Sequence, residues 1–237
     1  MLRIFNDRET LSRGAASALI MSADQAIAER GRFLVVLNGG GTPGRLFELL
    51  ATIPHKMDWA RTHVFWGDER CVPANDPESN YGTAKRILLD SVPIPADNIH
   101  RIDTDLAPAE AVADFTRTLK QFATPPLDWP RFDLILLGMG DDGHTASLFP
   151  GSDLNVTEPV ITVNADYQGR PAQRITLTLP VFNSAREILF LVTGASKAET
   201  LRRILHDDSA VQYPAAHIRP NDGMVTWFAD EAAAEKL

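Results

Sequence analysis

One short stretch, FDLILLGMGDDGHTASLFPG (132–151), holds residues suited to acid–base chemistry and to close backbone approach: Gly138, Gly140, Asp141, Asp142, Gly143 and His144. Imidazole titrates near neutrality, so His144 reads as a general base. Asp142 and Asp68 are the candidate carboxylates to orient it. Residues 132–137 are almost continuously apolar, as in a parallel strand covered on both faces. Ligand sites in such sheets lie at the carboxyl ends of strands, where 138–147 falls. His55, His63, His100, His206 and His217 have no comparable cluster of glycines and carboxylates beside them.

Three other chemistries fit this stretch poorly. Gly138, Gly140 and Gly143 match the dinucleotide fingerprint, and Glu158 lies near the place of its ribose acid. That fingerprint opens a long helix, whereas Pro150 and Gly151 follow almost at once. Asp141, Asp142 and His144 lack HExxH spacing and have no second Cys/His cluster to complete a metal site. No GxSxG elbow is present, so Ser147 reads as structural.

Two other strand ends carry candidates. Residues 33–37 (FLVVL) read as a buried strand running into NGGGTPG, with Thr42 placed to cap a helix and Pro43 at its first position. Glycines admit an anion to the backbone, and a helix start offers free N–H groups, so 39–42 reads as an anion site. The GK[ST] ending of a P-loop is absent. Residues 63–66 (HVFW) form the next expected strand, ending in GDERCVP, where Asp68, Glu69 and Arg70 bunch. Cys71 beside them reads as a structural thiol, with no histidine near it in sequence.

The elements that must position these groups alternate along the chain. Helices are expected at 8–30, stopped by Gly31, at 43–50, at 83–89 and at 108–122, the last with a core stripe of Val112, Phe115, Leu119 and Phe122. Residues 98–103 suggest a short edge strand. Further strands are expected at 160–163, 174–179, 187–192 and 224–228. Ser196 with Glu199 suggests a capping box opening a helix to Leu205, and a last helix is expected at 229–236. Residues 206–222 read as a polar loop with a short ordered core. The pattern predicts one domain over 1–237, an α/β three-layer Rossmann-like sandwich with a mostly parallel central sheet.

Composition bounds the partners. The chain has 237 residues, 44% hydrophobic and 23% charged, with a net charge of −8. An acidic balance disfavours nucleic acid and membrane surfaces as partners. One cysteine precludes an intrachain disulfide and suits a reducing compartment. No apolar leader and no run of eighteen apolar residues occurs, so a cytoplasmic location is expected.

Taken together, GGGTP (39–43), GDERCVP (67–73), SNYG (79–82), DLILLGMGDDGHTASLFPG (133–151), RITLTLP (174–180) and VTGASKAETL (192–201) resemble the 6-phosphogluconolactonases. That family lies in a superfamily shared with glucosamine-6-phosphate deaminases. The resemblance implies hydrolysis of 6-phospho-D-glucono-1,5-lactone to 6-phosphogluconate in the oxidative pentose phosphate pathway. It implies no metal or organic cofactor, a small sugar-phosphate lactone as the sole ligand, and a monomer or weak homodimer. By motif, His144 would activate water, and Asp142 would hold that imidazole or help shape the site. Arg70 would engage substrate. Gly39, Gly40, Gly41 and Thr42 would cradle the phosphate, with positive charge from Arg174 and Lys197. Asp68 aligns with the carboxylate that the deaminases use for proton transfer. The loop departs from the family's SGGST pattern at Asn38 and Gly41, which leaves more of the phosphate to backbone amides. The deaminases carry a glutamate five residues after the histidine, where this chain has Phe149. A non-catalytic sugar-phosphate-binding regulator would carry an added domain, for which 237 residues leave no room.

Overall fold

The computed structural model describes residues 1–207 and 210–237. Residues 208 and 209, inside the loop expected at 206–222, lie outside the described residues.

The chain opens with strand β1 (Leu2–Phe5), helix α1 (Arg8–Arg30), strand β2 (Phe33–Leu37) and helix α2 (Gly41–Thr52). Strands β3 (Thr62–Trp66) and β4 (Asp68–Arg70) lead to α3 (Asn80–Ile87), β5 (Ile99–His100), α4 (Pro108–Gln121) and β6 (Leu134–Gly138). Then come β7 (Val160–Asn164), β8 (Gln173–Leu177), the short α5 (Leu179–Phe182) and β9 (Glu187–Val192). Helix α6 (Ala198–His206), β10 (Met224–Asp230) and α7 (Glu231–Ala234) complete the chain.

The expected parallel sheet is present. Its order is β1-β10-β9-β6-β2-β3-β5, and every neighbouring pair is parallel. Strands β2, β6 and β9 are buried almost end to end, which explains their unbroken runs of Leu, Val, Ile and Phe. From β2 the chain moves on to β3, and from β6 it moves the other way to β9. Neighbours β2 and β6 therefore form the switch point of the sheet, where their exit loops diverge and leave a crevice. The glycine loop after β2 and the histidine loop after β6 both open there. A second, antiparallel sheet, β4-β8-β7, sits beside this edge.

Several local expectations change. Residues 68–70, expected at the end of the strand over 63–66, form a strand of their own, because they pair with β8 and put Arg70 opposite Arg174. Helix α3 starts at Asn80, since the Ser79 hydroxyl accepts from Gly82 N–H at 3.0 Å. The proposed Ser196/Glu199 capping box does not form. Residues Ala195–Lys197 make a 3-10 turn directly into α6, and Glu199 instead pairs with Arg202, Arg203 and Lys236. Strand β8 ends at Leu177, where Pro180 helps open α5. Strand β10 runs on to Asp230 because β1 pairs with it as far as Phe5↔Asp230, which shortens the last helix to Glu231–Ala234. Among the described residues no helix is long and apolar enough to cross a membrane.

The edge of the main sheet hides a histidine pair that the sequence does not announce. His63 Nδ1 lies 3.1 Å from His100 Nε2, and Phe65 and Phe122 pack against the His100 ring. Burial pushes both imidazoles below their usual value, helped in each case by a neighbouring cationic or imidazole group, and brings His100 to about 4. A lowered folded value means stability that is complete above the unfolded pKa of about 6.5 and is lost as pH falls toward the folded one. Urea denaturation followed from neutral to mildly acidic pH is expected to show a smaller loss of stability in His100→Phe than in the unsubstituted protein.

Candidate active site

His144 is held by a loop that only glycine permits. Its Nδ1 lies 2.6 Å from Asp142 Oδ1, and the same oxygen accepts from the His144 backbone N–H at 3.1 Å. The loop closes on itself through Gly140 N–H to His144 O (2.9 Å), Gly143 N–H to Gly140 O (3.1 Å) and the Thr145 hydroxyl to Gly138 O (2.8 Å). A Cβ on Gly140 would stand 2.1 Å from His144 Nδ1 and 2.5 Å from Asp142 Oδ1. The glycines that mimic a dinucleotide fingerprint thus serve to fold a carboxylate onto an imidazole. No helix follows them; residues 145 and 148 bridge instead.

Asp142 is the carboxylate beside the histidine, and Asp68 is not. Asp68 is 4% exposed and is held by the Ser147 hydroxyl on Oδ2 (2.6 Å) and by Asn80 Nδ2 on Oδ1 (3.2 Å). Ser147 is therefore structural, as expected. Burial raises the Asp142 carboxyl, but its hydrogen bond and charge interaction with His144 outweigh this and leave it below the ordinary value. With Nδ1 engaged, Nε2 is the imidazole nitrogen left to take a proton.

Glu69 builds the next part. It is 1% exposed, and its carboxylate accepts from the N–H groups of Arg70, Asn80 and Tyr81, each at 2.8 Å, and from the Ser79 hydroxyl at 3.0 Å. Burial nonetheless pushes its carboxyl above the usual value. The bunched acid of the DER segment thus fastens the start of α3 to β4 rather than facing solvent. Arg70 donates through Nη1 to Glu78 O at 2.7 Å. Cys71 is half-buried, and burial and then Glu69 raise its thiol, which leaves it unactivated.

Two guanidinium nitrogens beside this loop are buried without a hydrogen-bond partner among the described residues, Arg70 Nε and Arg174 Nη2. Arg174 is 2% exposed, donates through Nε to Pro171 O at 3.1 Å, and lies 5.3 Å above the Phe149 ring. Burial pushes its pKa down, and Arg70 and Arg170 add like-charge repulsion. Unpaired buried donors on cations are costly, so this corner is built to receive an anion.

The glycine loop stands differently from its reading as a capped helix start. Gly40, with φ +96°, occupies the cap position, and α2 begins at Gly41. Thr42 lies within the first turn and pairs its hydroxyl with that of Thr193 at 2.9 Å. Gly40 has moved the helix start two residues early, because its left-handed backbone makes the turn. Gly194 N–H donates to Asp230 Oδ1 at 3.0 Å, which fixes the turn carrying Lys197. Lys197 Nζ lies 3.9 Å from Asp141 Oδ1.

These groups meet around one cavity of about 200 Å³. Its wall includes Gly39, Gly40, Gly41, Thr42, Asp68, Arg70, His144, Arg174 and Lys197. Asp142 stands behind His144 and is not part of the wall. Sequence reasoning missed Tyr167, Gln168 and Arg170, which reach the cavity from the turn between β7 and β8. The only signal was the turn-forming QGR itself, next to a strand already assigned. Among the described residues no three His, Cys, Asp or Glu side chains converge as a metal ligand set.

A family model described as glucosamine-6-phosphate isomerases/6-phosphogluconolactonase matches residues 6–227. A 6-phosphogluconolactonase of Nostoc sp. is 40% identical over 242 aligned positions, covering 100% of this chain and 98% of the relative. One of Rattus norvegicus is 39% identical, covering 100% and 93%. The crystal structure of a 6-phosphogluconolactonase from Thermotoga maritima superposes with a TM-score of 0.85 at 30% identity, over 97% of this chain and 99% of that one.

Because Gly140 has no room for a side chain, Gly140→Ala is expected to destabilise the fold by about 1–3 kcal/mol, the usual cost of overpacking. Urea denaturation measures this. The glycines with open space around them, such as Gly44, provide the control, with a much smaller change on substitution by alanine.

Proposed function

This chain belongs to the glucosamine-6-phosphate isomerase/6-phosphogluconolactonase family and is a hydrolase of the 6-phosphogluconolactonase type, and on that premise we propose how its residues open 6-phospho-D-glucono-1,5-lactone. His144 Nε2 takes a proton from water as the oxygen attacks the lactone carbonyl. The ring carbon–oxygen bond then breaks, and the imidazolium returns the proton to the departing ring oxygen. The product is 6-phosphogluconate. Asp142 orients the imidazole and stabilises its protonated form through the 2.6 Å contact.

Arg70 supplies a donor to the oxyanion that forms at the attacked carbonyl. Arg174, Lys197 and the amides and hydroxyl of 39–42 hold the phosphate. The phosphate is remote from the reacting carbon, so its binding energy serves to fix the ring against the base. A lactone is already electrophilic, so neither a covalent nucleophile nor a cofactor is needed. Asp68, tied to Ser147 and Asn80, shapes the floor of the site. Phe149 stacks on the imidazole at 4.6 Å. It has no proton to offer, which favours lactone hydrolysis over the deaminases' ring opening. A lone thiol suits the cytoplasm as the working compartment.

The observation that carries this reading is the juxtaposition of a carboxylate-bound histidine with buried, unpaired guanidinium donors on one cavity wall. The test generates the lactone in situ and follows its hydrolysis after subtracting spontaneous opening. The protein is expected to accelerate the reaction, and no rate above background overturns the proposal. His144→Ala is expected to lose about 10²–10⁴ in rate while calorimetry still detects binding of 6-phosphogluconate. Lys197→Ala is expected to raise KM with a smaller effect on kcat, and an unchanged KM would remove it from the phosphate site.

A further inference from the structure

The His144 ring sits in a corner made by two aromatic rings whose own centroids are 5.7 Å apart. Phe149 stacks on it at 4.6 Å and 29°, and Tyr167 meets it edge-on at 4.6 Å and 75°. Phe149 is fixed by the same loop as the histidine, and its backbone N–H donates to the Ser152 hydroxyl at 3.0 Å. Tyr167 comes from elsewhere, the tight turn between β7 and β8, where Arg170 N–H returns to Tyr167 O at 3.1 Å and Gln168 and Gly169 have positive φ. Such a turn does not fix a large ring by itself. What fixes it is the phenol hydroxyl, which donates to Asp141 Oδ1 at 2.5 Å and receives Gln168 Nε2 at 3.0 Å.

Asp141 is well placed to serve as an anchor. Its carbonyl accepts from the Thr200 hydroxyl at 2.6 Å, which ties it to α6. Its carboxylate also faces Lys197 Nζ at 3.9 Å. The Tyr167 hydroxyl, and after it Lys197, hold the Asp141 carboxyl below its usual value. Asp141 is adjacent to Asp142, yet the two carboxylates divide the work: one holds the imidazole, and the other holds the tyrosine ring beside it.

We propose that Tyr167 is a positioning residue for His144, its ring packed edge-on against the imidazole beside Phe149 and its hydroxyl latched to Asp141. This rests on the reading of His144 as the base. The latch joins a turn of the small sheet to the histidine loop of the large one. It also shares its anchor with Lys197, so the phosphate end and the base end meet at one carboxylate.

The test measures kcat and KM for Tyr167→Phe, Tyr167→Ala, Asp141→Ala and Asp141→Asn, together with the rate at which diethyl pyrocarbonate modifies His144. Modification is read by mass spectrometry of the digested protein, with the other histidines as internal controls. Tyr167→Phe, which keeps the ring but loses the latch, is expected to lower kcat about tenfold, the scale of one hydrogen bond to a charged group, with KM little changed. Tyr167→Ala should fall further. Asp141→Asn, which keeps an oxygen for the phenol, should lose less kcat than Asp141→Ala. The pair Tyr167→Phe/Asp141→Ala should be no slower than its worse single member, as expected for one shared interaction. His144 should be modified faster in Tyr167→Phe, and faster still in Tyr167→Ala, than in the unsubstituted protein. Unchanged kcat and unchanged His144 modification in Tyr167→Phe and Tyr167→Ala would overturn the proposal. If the unsubstituted protein shows no lactone hydrolysis, the lactonase reading fails, and the modification rates still decide whether Tyr167 positions the ring.

Discussion

The contact on which the site depends is the one between His144 Nδ1 and Asp142 Oδ1 at 2.6 Å. Two residues apart, these side chains meet only if the backbone between and before them curls tightly. Gly140 pays for that with a position that no side chain can occupy. Gly143, with φ +80°, makes the turn that brings His144 back over Gly140. Thr145 then ties the loop to the end of β6. The rest of the structure presents this small unit to the crevice of a parallel sheet.

That crevice gathers groups that are far apart in sequence, because all strand exits of a parallel sheet lie on one edge. The loops after β2, β3, β6 and β9 bring the glycines at 39–41, Asp68 with Arg70, His144 and Lys197 to one cavity wall. The small antiparallel sheet adds what the large one does not have. Pairing Arg70 with Arg174 across β4 and β8 places two guanidinium groups side by side, which costs like-charge repulsion. That cost is tolerable in a site that, as proposed, receives a dianionic phosphate. The carboxylates of Asp68 and Glu78 offset part of it.

Much of this was legible in the sequence, for specific reasons. Continuous apolar runs at β2, β6 and β9 announced buried parallel strands, and the motif segments announced which strand ends mattered. What was not legible depended on pairing or on distance. The DER segment became a strand only because β8 lies beside it. Strand β1 has just four residues, with Arg3 and Ile4 exposed, so it carries no periodic signal. Ser196 and Glu199 have the spacing of a capping box, but three cations compete for the glutamate. The choice between Asp142 and Asp68 could not be made from sequence, since both line or adjoin the same strand exits; in the fold Asp142 pairs with His144 while Ser147 and Asn80 claim Asp68. Tyr167 was invisible because nothing in a lone turn tyrosine says what it covers.

The central claim is that the negative charge of Asp142 makes His144 a base. Asp142→Asn has nearly the same shape without that charge, so kcat for lactone hydrolysis measured beside 6-phosphogluconate binding separates charge from packing. The account predicts a kcat lower by at least about tenfold, the equivalent of roughly 1.4 kcal/mol of lost imidazolium stabilisation, with product binding retained. A kcat equal to that of the unsubstituted protein would contradict it.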